Sequence, residues 1–80
     1  MGFFKKRGKP RQYRITCSFN TFSDHMLYEL TFWNGILAGW SSLSLRRPSD
    51  NDAREMLRQE AALDAKVKGY GDNYEITELI

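Results

Sequence analysis

The dipeptide Asn34-Gly35 constrains the fold of this chain more than any other feature of its sequence. It stands between two β-prone runs, where Asn-Gly favours a two-residue type I′ turn because both turn positions need a positive φ. Such a turn places Trp33 directly opposite Ile36. The sequence therefore predicts a β-hairpin whose first strand is His25–Trp33 and whose register is fixed by the turn.

That register sorts the side chains of the hairpin onto two faces of the predicted sheet. Counting outward from the turn pairs Phe32 with Leu37 and Met26 with Leu43. The predicted core face collects Met26, Tyr28, Leu30, Phe32, Leu37, Leu43 and Leu45. The other face, predicted to stay open, collects His25, Leu27, Glu29, Thr31, Trp33, Ile36, Trp40 and Arg46.

The remaining elements follow from periodicity and capping signals. Alternation predicts a strand over Gln12–Phe19, with Tyr13, Ile15, Cys17 and Phe19 inward, and a strand over Tyr74–Ile80, with Tyr74, Ile76 and Ile80 inward. Ser49 and Gly69 are suited to begin and end a helix between them. The apolar stripe of this helix consists of Ala53, Met56, Leu57, Ala61, Leu63 and Val67. The predicted fold is α+β, a small antiparallel β-meander (β-β-β-α-β) with one helix packed on one face. If the last strand lies beside the first, a right-handed crossover makes that pair parallel.

Two carboxylates, Glu60 and Asp64, fall inside the predicted stripe, one helical turn apart. Calcium needs about six to eight oxygen ligands, and the sequence places no others nearby. We therefore expect these residues to be structural, with at least one at the edge of the stripe, paired with an arginine or a tyrosine hydroxyl. On this interpretation, replacing them by Gln and Asn leaves partner binding unchanged.

Length and composition exclude several classes of protein. Eighty residues leave room for one domain, and the single cysteine, Cys17, excludes an internal disulfide framework. Cys17 and the single histidine, His25, are also too few to complete a structural zinc site. No apolar run approaches the roughly 18–20 residues of a membrane span, so we expect an intracellular, cytoplasmic protein. Phosphate-loop, dinucleotide-binding and zinc-protease motifs are lacking, and we expect no catalytic residue, metal or cofactor.

The charges are distributed unevenly along the chain. Residues 1–14 hold six basic residues and no acid, whereas residues 15–80 hold six basic against ten acidic residues, a net charge of −4. Residues 1–11 are predicted to be a flexible basic arm and residues 12–80 a single α+β domain. Such an arm suits a polyanion, and its candidate nucleic-acid-binding residues are Lys5, Lys6, Arg7, Lys9, Arg11 and Arg14. Solubilisation is the alternative role of the arm, and a membrane surface is the least favoured partner.

The open face is the main candidate for function. An exposed apolar patch on a small domain usually marks an interaction site, and tryptophan with arginine is typical of interface hot spots. The predicted partner-binding residues are Trp33, Trp40, Ile36, Leu27, Arg14 and Arg46. The competing interpretation is that the last strand, the arm or a second copy of the chain, in a homodimer, covers this face.

These observations favour a non-enzymatic interaction module that docks its Trp-rich sheet face on a protein or a nucleoprotein complex. In size and in its one-helix sheet the chain resembles small phage or mobile-element proteins that inhibit host machinery, which implies a regulator or inhibitor. The alternative function is a small DNA- or RNA-binding protein that uses the basic arm for phosphates and the sheet aromatics for stacking.

Overall fold

Residues 8–80 form four strands and two helices in this computed structural model, which describes that part of the chain. In chain order the elements are β1 (Arg11–Asn20), β2 (His25–Trp33), α1 (Gly35–Ala38), β3 (Trp40–Arg46), α2 (Ala53–Val67) and β4 (Tyr74–Leu79). The fold is α+β, as predicted, and α2 packs on one face of the sheet. Most of the predicted basic arm lies outside the described residues, and β1 begins at Arg11.

The sheet has the strand order β3-β2-β1-β4. β1 pairs with β2 and β2 with β3 in antiparallel fashion, whereas β4 pairs with β1 in parallel. The sheet is therefore mixed and not purely antiparallel, because α2 carries the chain from β3 across to the far edge. The last strand lies beside the first and is parallel to it, as the sequence predicted for a helical crossover that returns to β1.

Of the four β1 residues predicted to point inward, two enter the core, whereas Cys17 is half-buried and Phe19 is 55% exposed. Tyr13 and Ile15 are fully buried beneath α2, and Ile15 lies opposite the equally buried Leu30 of β2. From β4, Tyr74 and Ile76 pack against this cluster, and the rings of Tyr13 and Tyr74 meet edge to face with centroids 6.0 Å apart. Ile80, predicted to point inward, is exposed beyond the end of β4.

The predicted type I′ turn at Asn34-Gly35 is wrong. Asn34 has a φ of −117°, and the chain instead reverses through the single helical turn α1 between Gly35 and Gly39, at φ of +90° and +69°. The N–H of Asn34 donates to the carbonyl of Gly39 at 2.8 Å, so Trp33 pairs with Trp40. The reversal therefore takes the six residues 34–39 and not the two that Asn-Gly would need, and it uses two glycines at positive φ, which glycine adopts without steric cost.

The longer connection changes the predicted register. Phe32 pairs with Ser41 and not with Leu37, so the core position predicted for Leu37 is wrong. Leu37 is fully exposed on α1, and Ile36, predicted to lie on the open sheet face, is also off the sheet and 92% exposed.

A β-bulge changes the second half of β3. The register shifts opposite Leu30 and Thr31, which leaves Leu43 as the extra residue. Arg46 consequently pairs with Tyr28 on the face that α2 covers, and Leu45 pairs with Glu29 on the other face. Both predictions for Leu45 and Arg46 are therefore reversed, because one inserted residue exchanges the faces of all that follow.

The start of α2 also differs from the prediction. The helix begins at Ala53, and Asp52, at a φ of +56°, precedes it without a side-chain capping bond. Ser49 does not cap it, because residues 47–52 form turns in which the N–H of Asp50 donates to the carbonyl of Arg47 at 3.0 Å.

The end of α2 agrees with the prediction. Gly69, at a φ of +90°, donates its N–H to the carbonyl of Lys66 at 3.1 Å, and Tyr70 donates to the carbonyl of Ala65 at 2.8 Å. This pair of bonds is a Schellman motif, which satisfies carbonyls that the last helical turn leaves free.

The buried side of α2 is rotated from the predicted stripe. Ala53, Leu57, Ala61 and Ala65 are buried at intervals of four residues, and their small side chains let the helix lie close to the sheet. Leu63 and Val67, predicted to face the core, are instead 62% and 73% exposed. The rotation has an electrostatic cause. Glu60 and Asp64 lie inside the predicted stripe, but their carboxylates bind arginines of the sheet, so they lie beside the buried row of residues and not within it.

A second set of ion pairs ties the first half of α2 to β4. The carboxylate of Glu78 accepts hydrogen bonds from Arg54 and from Arg58, at 2.8 Å for the Arg54 Nη2 atom. The hydrogen bond from Arg54 is the largest effect on the pKa of Glu78 and lowers it below the usual range. For Glu60, burial raises the pKa, but hydrogen bonds from Ser44 and Arg46 outweigh it, so the pKa of Glu60 is also lowered.

These shifts predict a loss of stability in acid. A carboxyl whose pKa is lower in the folded chain contributes stability above its unfolded value, and the contribution disappears as pH falls through the folded pKa. Replacing Glu78 by Gln should lower the free energy of unfolding at pH 7 by about 1 kcal/mol and flatten its decline at acid pH. Thermal unfolding between pH 7 and pH 3, followed by circular dichroism, measures both effects. Glu75→Gln, on the other side of β4, is the matched control, and equal pH profiles for the two variants would contradict the prediction.

Candidate functional site

The face of the sheet opposite α2, called the open face below, brings three of the predicted partner-binding residues together. Trp33 and Trp40 are directly paired across β2 and β3 at one end of the sheet. Arg14 lies on the neighbouring β1 one row further along, opposite Thr31. None of the elements formed by residues 8–80 packs over these side chains, because α2 contacts the sheet from the other side.

Geometry links these side chains into one cluster. The rings of Trp33 and Trp40 meet edge to face, with centroids 5.4 Å apart and planes at 62°. The guanidinium carbon of Arg14 lies 4.0 Å from the centroid of the Trp40 ring, which is a close cation–π contact. Trp40 is half-buried between its two neighbours, whereas Trp33 remains 40% exposed. We call these three residues the Arg14–Trp40–Trp33 cluster.

A shallow depression lies beside the cluster, with a volume of about 190 Å³. Its lining comes from β1, β3 and β4 and consists of Gln12, Tyr13, Arg14, Trp40, Glu75, Thr77 and Leu79. The contribution of β4 was missed by the sequence reasoning, because alternation predicts which β4 residues share a face but not which strand they lie beside. Once β4 is placed next to β1, the same alternation puts Glu75, Thr77 and Leu79 on the open face.

The open face is not strongly basic. Among the described residues, Arg14 is the arginine on this face, and the carboxylates of Glu29 and Glu75 lie on the same face. Arg46, which the predicted register placed here, forms its ion pair with Glu60 beneath α2 instead. A phosphate backbone needs several cations, so the displacement of Arg46 makes this face less suited to nucleic acid than the sequence indicated.

The other predicted partner-binding residues lie apart from the cluster. Leu27 is on the same face, half-buried opposite Ser18, but six residues from Trp33, or about 20 Å along β2. Ile36 is exposed on α1, next to the strand end that carries Trp33.

Of the predicted nucleic-acid-binding residues, Lys5, Lys6 and Arg7 lie outside the described residues. Lys9 precedes β1, and Arg14 belongs to the cluster. Arg11 is turned to the opposite side, where its Nε atom lies 2.9 Å from the Asp64 carboxylate and its side chain is only 12% exposed.

Arg11 and Asp64 form a buried polar group with Tyr13. The hydroxyl of Tyr13 donates to the Asp64 carboxylate at 2.6 Å, and the Arg11 guanidinium also lies 4.6 Å from the Phe32 ring. Burial and the bond to Asp64 raise the pKa of the Tyr13 hydroxyl, which stays protonated as a donor. Burial lowers the pKa of Arg11, but the bonds to Tyr13 and Asp64 outweigh it and raise the pKa overall. The expectation that a carboxylate of α2 pairs with an arginine or a tyrosine hydroxyl is confirmed.

The residues that carry reactive or metal-binding groups are scattered. No three His, Cys, Asp or Glu side chains within residues 8–80 come close enough together to hold a metal ion. Cys17 is a half-buried free thiol on the α2 side of β1, and His25 is exposed at the start of β2. In the described part of the chain, no helix combines the length and the apolar character that crossing a membrane requires.

Comparison with known proteins gives no relative from which a function is transferable. No protein-family model, no curated protein and no solved structure matches this chain at a significant level. The geometry of the open face therefore supplies the evidence for function.

Proposed function

We propose that this chain is a non-enzymatic interaction module that binds a protein, alone or within a nucleoprotein complex, through the Arg14–Trp40–Trp33 cluster. The observation that carries the proposal is the contiguous cluster of these three side chains, an edge-to-face aromatic pair and a cation–π contact, on a sheet face that α2 leaves uncovered. As a regulator or inhibitor in the cytoplasm, such a module acts by occupying a surface that its partner needs.

The composition of the cluster supports a protein partner. Tryptophan and arginine are the residues most enriched among those that dominate binding energy at protein interfaces. Leu45 and Leu79 extend the apolar surface of the same face, and both are exposed. With one arginine against Glu29 and Glu75, the face also lacks the excess of positive charge that nucleic-acid binding requires.

Preorganisation gives a second argument for binding. A flexible arginine loses side-chain entropy when a partner immobilises it, at a cost of about 0.5–1.5 kcal/mol. Stacking on Trp40 holds the Arg14 guanidinium before any partner arrives, and Trp33 in turn supports Trp40. The cluster therefore offers a partner an ordered surface of aromatic and guanidinium groups.

The alternative function, nucleic-acid binding, has one supporting observation. A tryptophan with an arginine beside it on a sheet is also a platform on which an unpaired base stacks. The basic residues of segment 1–14 other than Arg11, which is paired with Asp64, supply charge. In that case binding weakens steeply with salt, because each phosphate contact releases counterions.

Affinity capture with the full chain, with and without nuclease, separates these two functions. We expect a protein that remains bound after nuclease and whose affinity changes little with salt. Arg14→Lys should weaken its binding about tenfold, because lysine keeps the charge but loses the planar stack on Trp40. Arg47→Lys is the matched control at an exposed arginine. Capture that disappears with nuclease, together with full binding by Arg14→Lys, would establish the nucleic-acid function instead.

A further inference from the structure

The core of the described chain is small relative to its apolar surface. Tyr13, Ile15, Leu30 and Leu57 are its fully buried large side chains, and the other buried residues are alanines. A domain of this size buries a smaller fraction of its surface than a large one, and small domains commonly gain stability by associating. The distribution of the exposed apolar side chains shows where a second chain fits.

An open groove of about 310 Å³ runs between α2 and β3. Leu30 lies at its floor, and Leu43, Leu63 and Val67 form exposed apolar walls. The carboxylates of Glu60 and Asp64 also line it, but each is held by an arginine of the sheet. The groove therefore has apolar walls and carboxylates that are already paired, which suits an apolar occupant and not a cation.

The groove lies along the less protected edge of the sheet. Proteins commonly protect an edge strand with charged residues, since its outer N–H and C=O groups are free to pair. β4 carries Glu75 on the open face and Glu78 on the face of α2, so charged residues lie on both faces of that edge. β3 has no charged residue from Trp40 to Leu45, and the bulge at Leu43 is its only such protection.

We propose that this surface, the β3 flank, binds a second copy of the same chain. The β3 flank consists of the outer edge of Trp40–Arg46 together with the side chains of Leu43, Leu63 and Val67. In the dimer the two β3 strands run antiparallel and pair on either side of the bulge, and the apolar walls of each copy close the groove of the other.

Charge determines the antiparallel direction. Arg46 and Arg47 follow one another at the end of β3, and the other end of the strand is uncharged. Parallel pairing would place these arginines side by side, whereas antiparallel pairing separates the two Arg46 residues by about 20 Å and puts each near Trp40 of the other copy. The open face remains accessible in this dimer, so the proposal does not depend on the proposed function.

Sedimentation equilibrium of the whole chain tests the proposal. From about 1 mM to about 1 µM, we expect the mass to fall from twice 9.4 kDa toward 9.4 kDa, because association follows mass action. The double variant Leu63→Glu, Val67→Glu should raise the dissociation constant at least about tenfold. Both side chains are mostly exposed in the single chain, so it accommodates the charges. Leu43→Lys tests the same surface independently from the strand side.

Two control variants separate the β3 flank from other surfaces. Phe22→Glu changes a fully exposed aromatic residue in the β1–β2 turn, and Leu79→Ala changes the open face at β4, the opposite edge of the sheet. Both should keep the dissociation constant of the unmodified chain. A mass of 9.4 kDa at every concentration would overturn the proposal. So would a dimer that survives changes to the β3 flank, or one that Leu79→Ala or Phe22→Glu dissociates.

Discussion

Replacing Asp64 by alanine should lower the free energy of unfolding by about 3 kcal/mol. The Asp64 carboxylate is the shared acceptor of the Arg11 guanidinium and the Tyr13 hydroxyl, and its side chain is only 15% exposed. Without it, the nearly buried charge of Arg11 loses its counter-ion and the buried Tyr13 hydroxyl loses its acceptor, and both losses cost free energy although the bond from Arg11 Nε to the Tyr13 hydroxyl remains. Because a domain of this size has only about 4–12 kcal/mol of stability, this single change removes a large fraction of it.

Thermal and urea unfolding at pH 7 measure the effect, and a domain of this size loses roughly 4–8 °C per kcal/mol. Glu60→Ala is the matched control, because the ion pair of Glu60 with Arg46 is about one-third exposed and should contribute no more than about 1 kcal/mol. Asp64→Asn, which keeps an acceptor oxygen, should fall between the two. Equal losses for the alanine variants of Glu60 and Asp64 would show that the buried polar group has no special role.

Partner binding gives a separate test of the same residues. If Glu60 and Asp64 are structural, the double variant Glu60→Gln, Asp64→Asn keeps full affinity for the partner at a temperature where it remains folded. Loss of binding by that folded variant would move the functional site to α2.

Replacing Trp40 by alanine should raise the dissociation constant for the captured partner at least about 30-fold, or roughly 2 kcal/mol. Trp40 stands between Trp33 and Arg14, so its removal takes away one aromatic surface and releases both neighbours. Trp33→Ala should cost less, because the contact between Arg14 and Trp40 survives it. The effect on folding should be small, since the buried core lies on the other side of the sheet.

Isothermal titration calorimetry measures these affinities, and a double-mutant cycle of Arg14→Ala and Trp40→Ala measures their coupling. We expect a coupling free energy of about 0.5–3 kcal/mol, since neither residue keeps its geometry without the other. Phe22→Ala is the control for loss of an exposed aromatic residue elsewhere. Dissociation constants within about threefold of the unmodified chain for both tryptophan variants would exclude the cluster as the binding site.

The sequence predicted those parts of the fold that local periodicity determines. Alternation in β1 identified the buried residues Tyr13 and Ile15, although it also placed inward Phe19, which is exposed, and Gly69 marked the end of α2. The β2–β3 connection was wrong because the local preference of Asn-Gly competes with a helical turn closed by a second glycine, Gly39. The rotation of α2 was also not predictable, because it depends on arginines that are distant in the sequence.

The candidate site was predicted better than the register from which it was derived. The observed partner of Trp33 is four residues further along the chain than predicted, and an even shift preserves the faces of a strand. Trp33 and Trp40 therefore share the open face in both registers. The bulge at Leu43 then adds a single residue, an odd shift, which is why Arg46 and Leu45 exchanged faces.

The position of β1 in the sheet has a consequence for the order of folding. β1 lies between β2, which follows it directly, and β4. Each paired residue of β4 lies 63 positions further along the chain than its partner in β1. Contacts between distant residues close large loops and slow the folding of a domain. The β1–β2 hairpin is able to form early during synthesis, but the other side of β1 is completed only after β4 has left the ribosome. We therefore expect the described domain to become stable in one late step, and a nascent chain interrupted before Tyr74 to remain a substrate for chaperones and proteases.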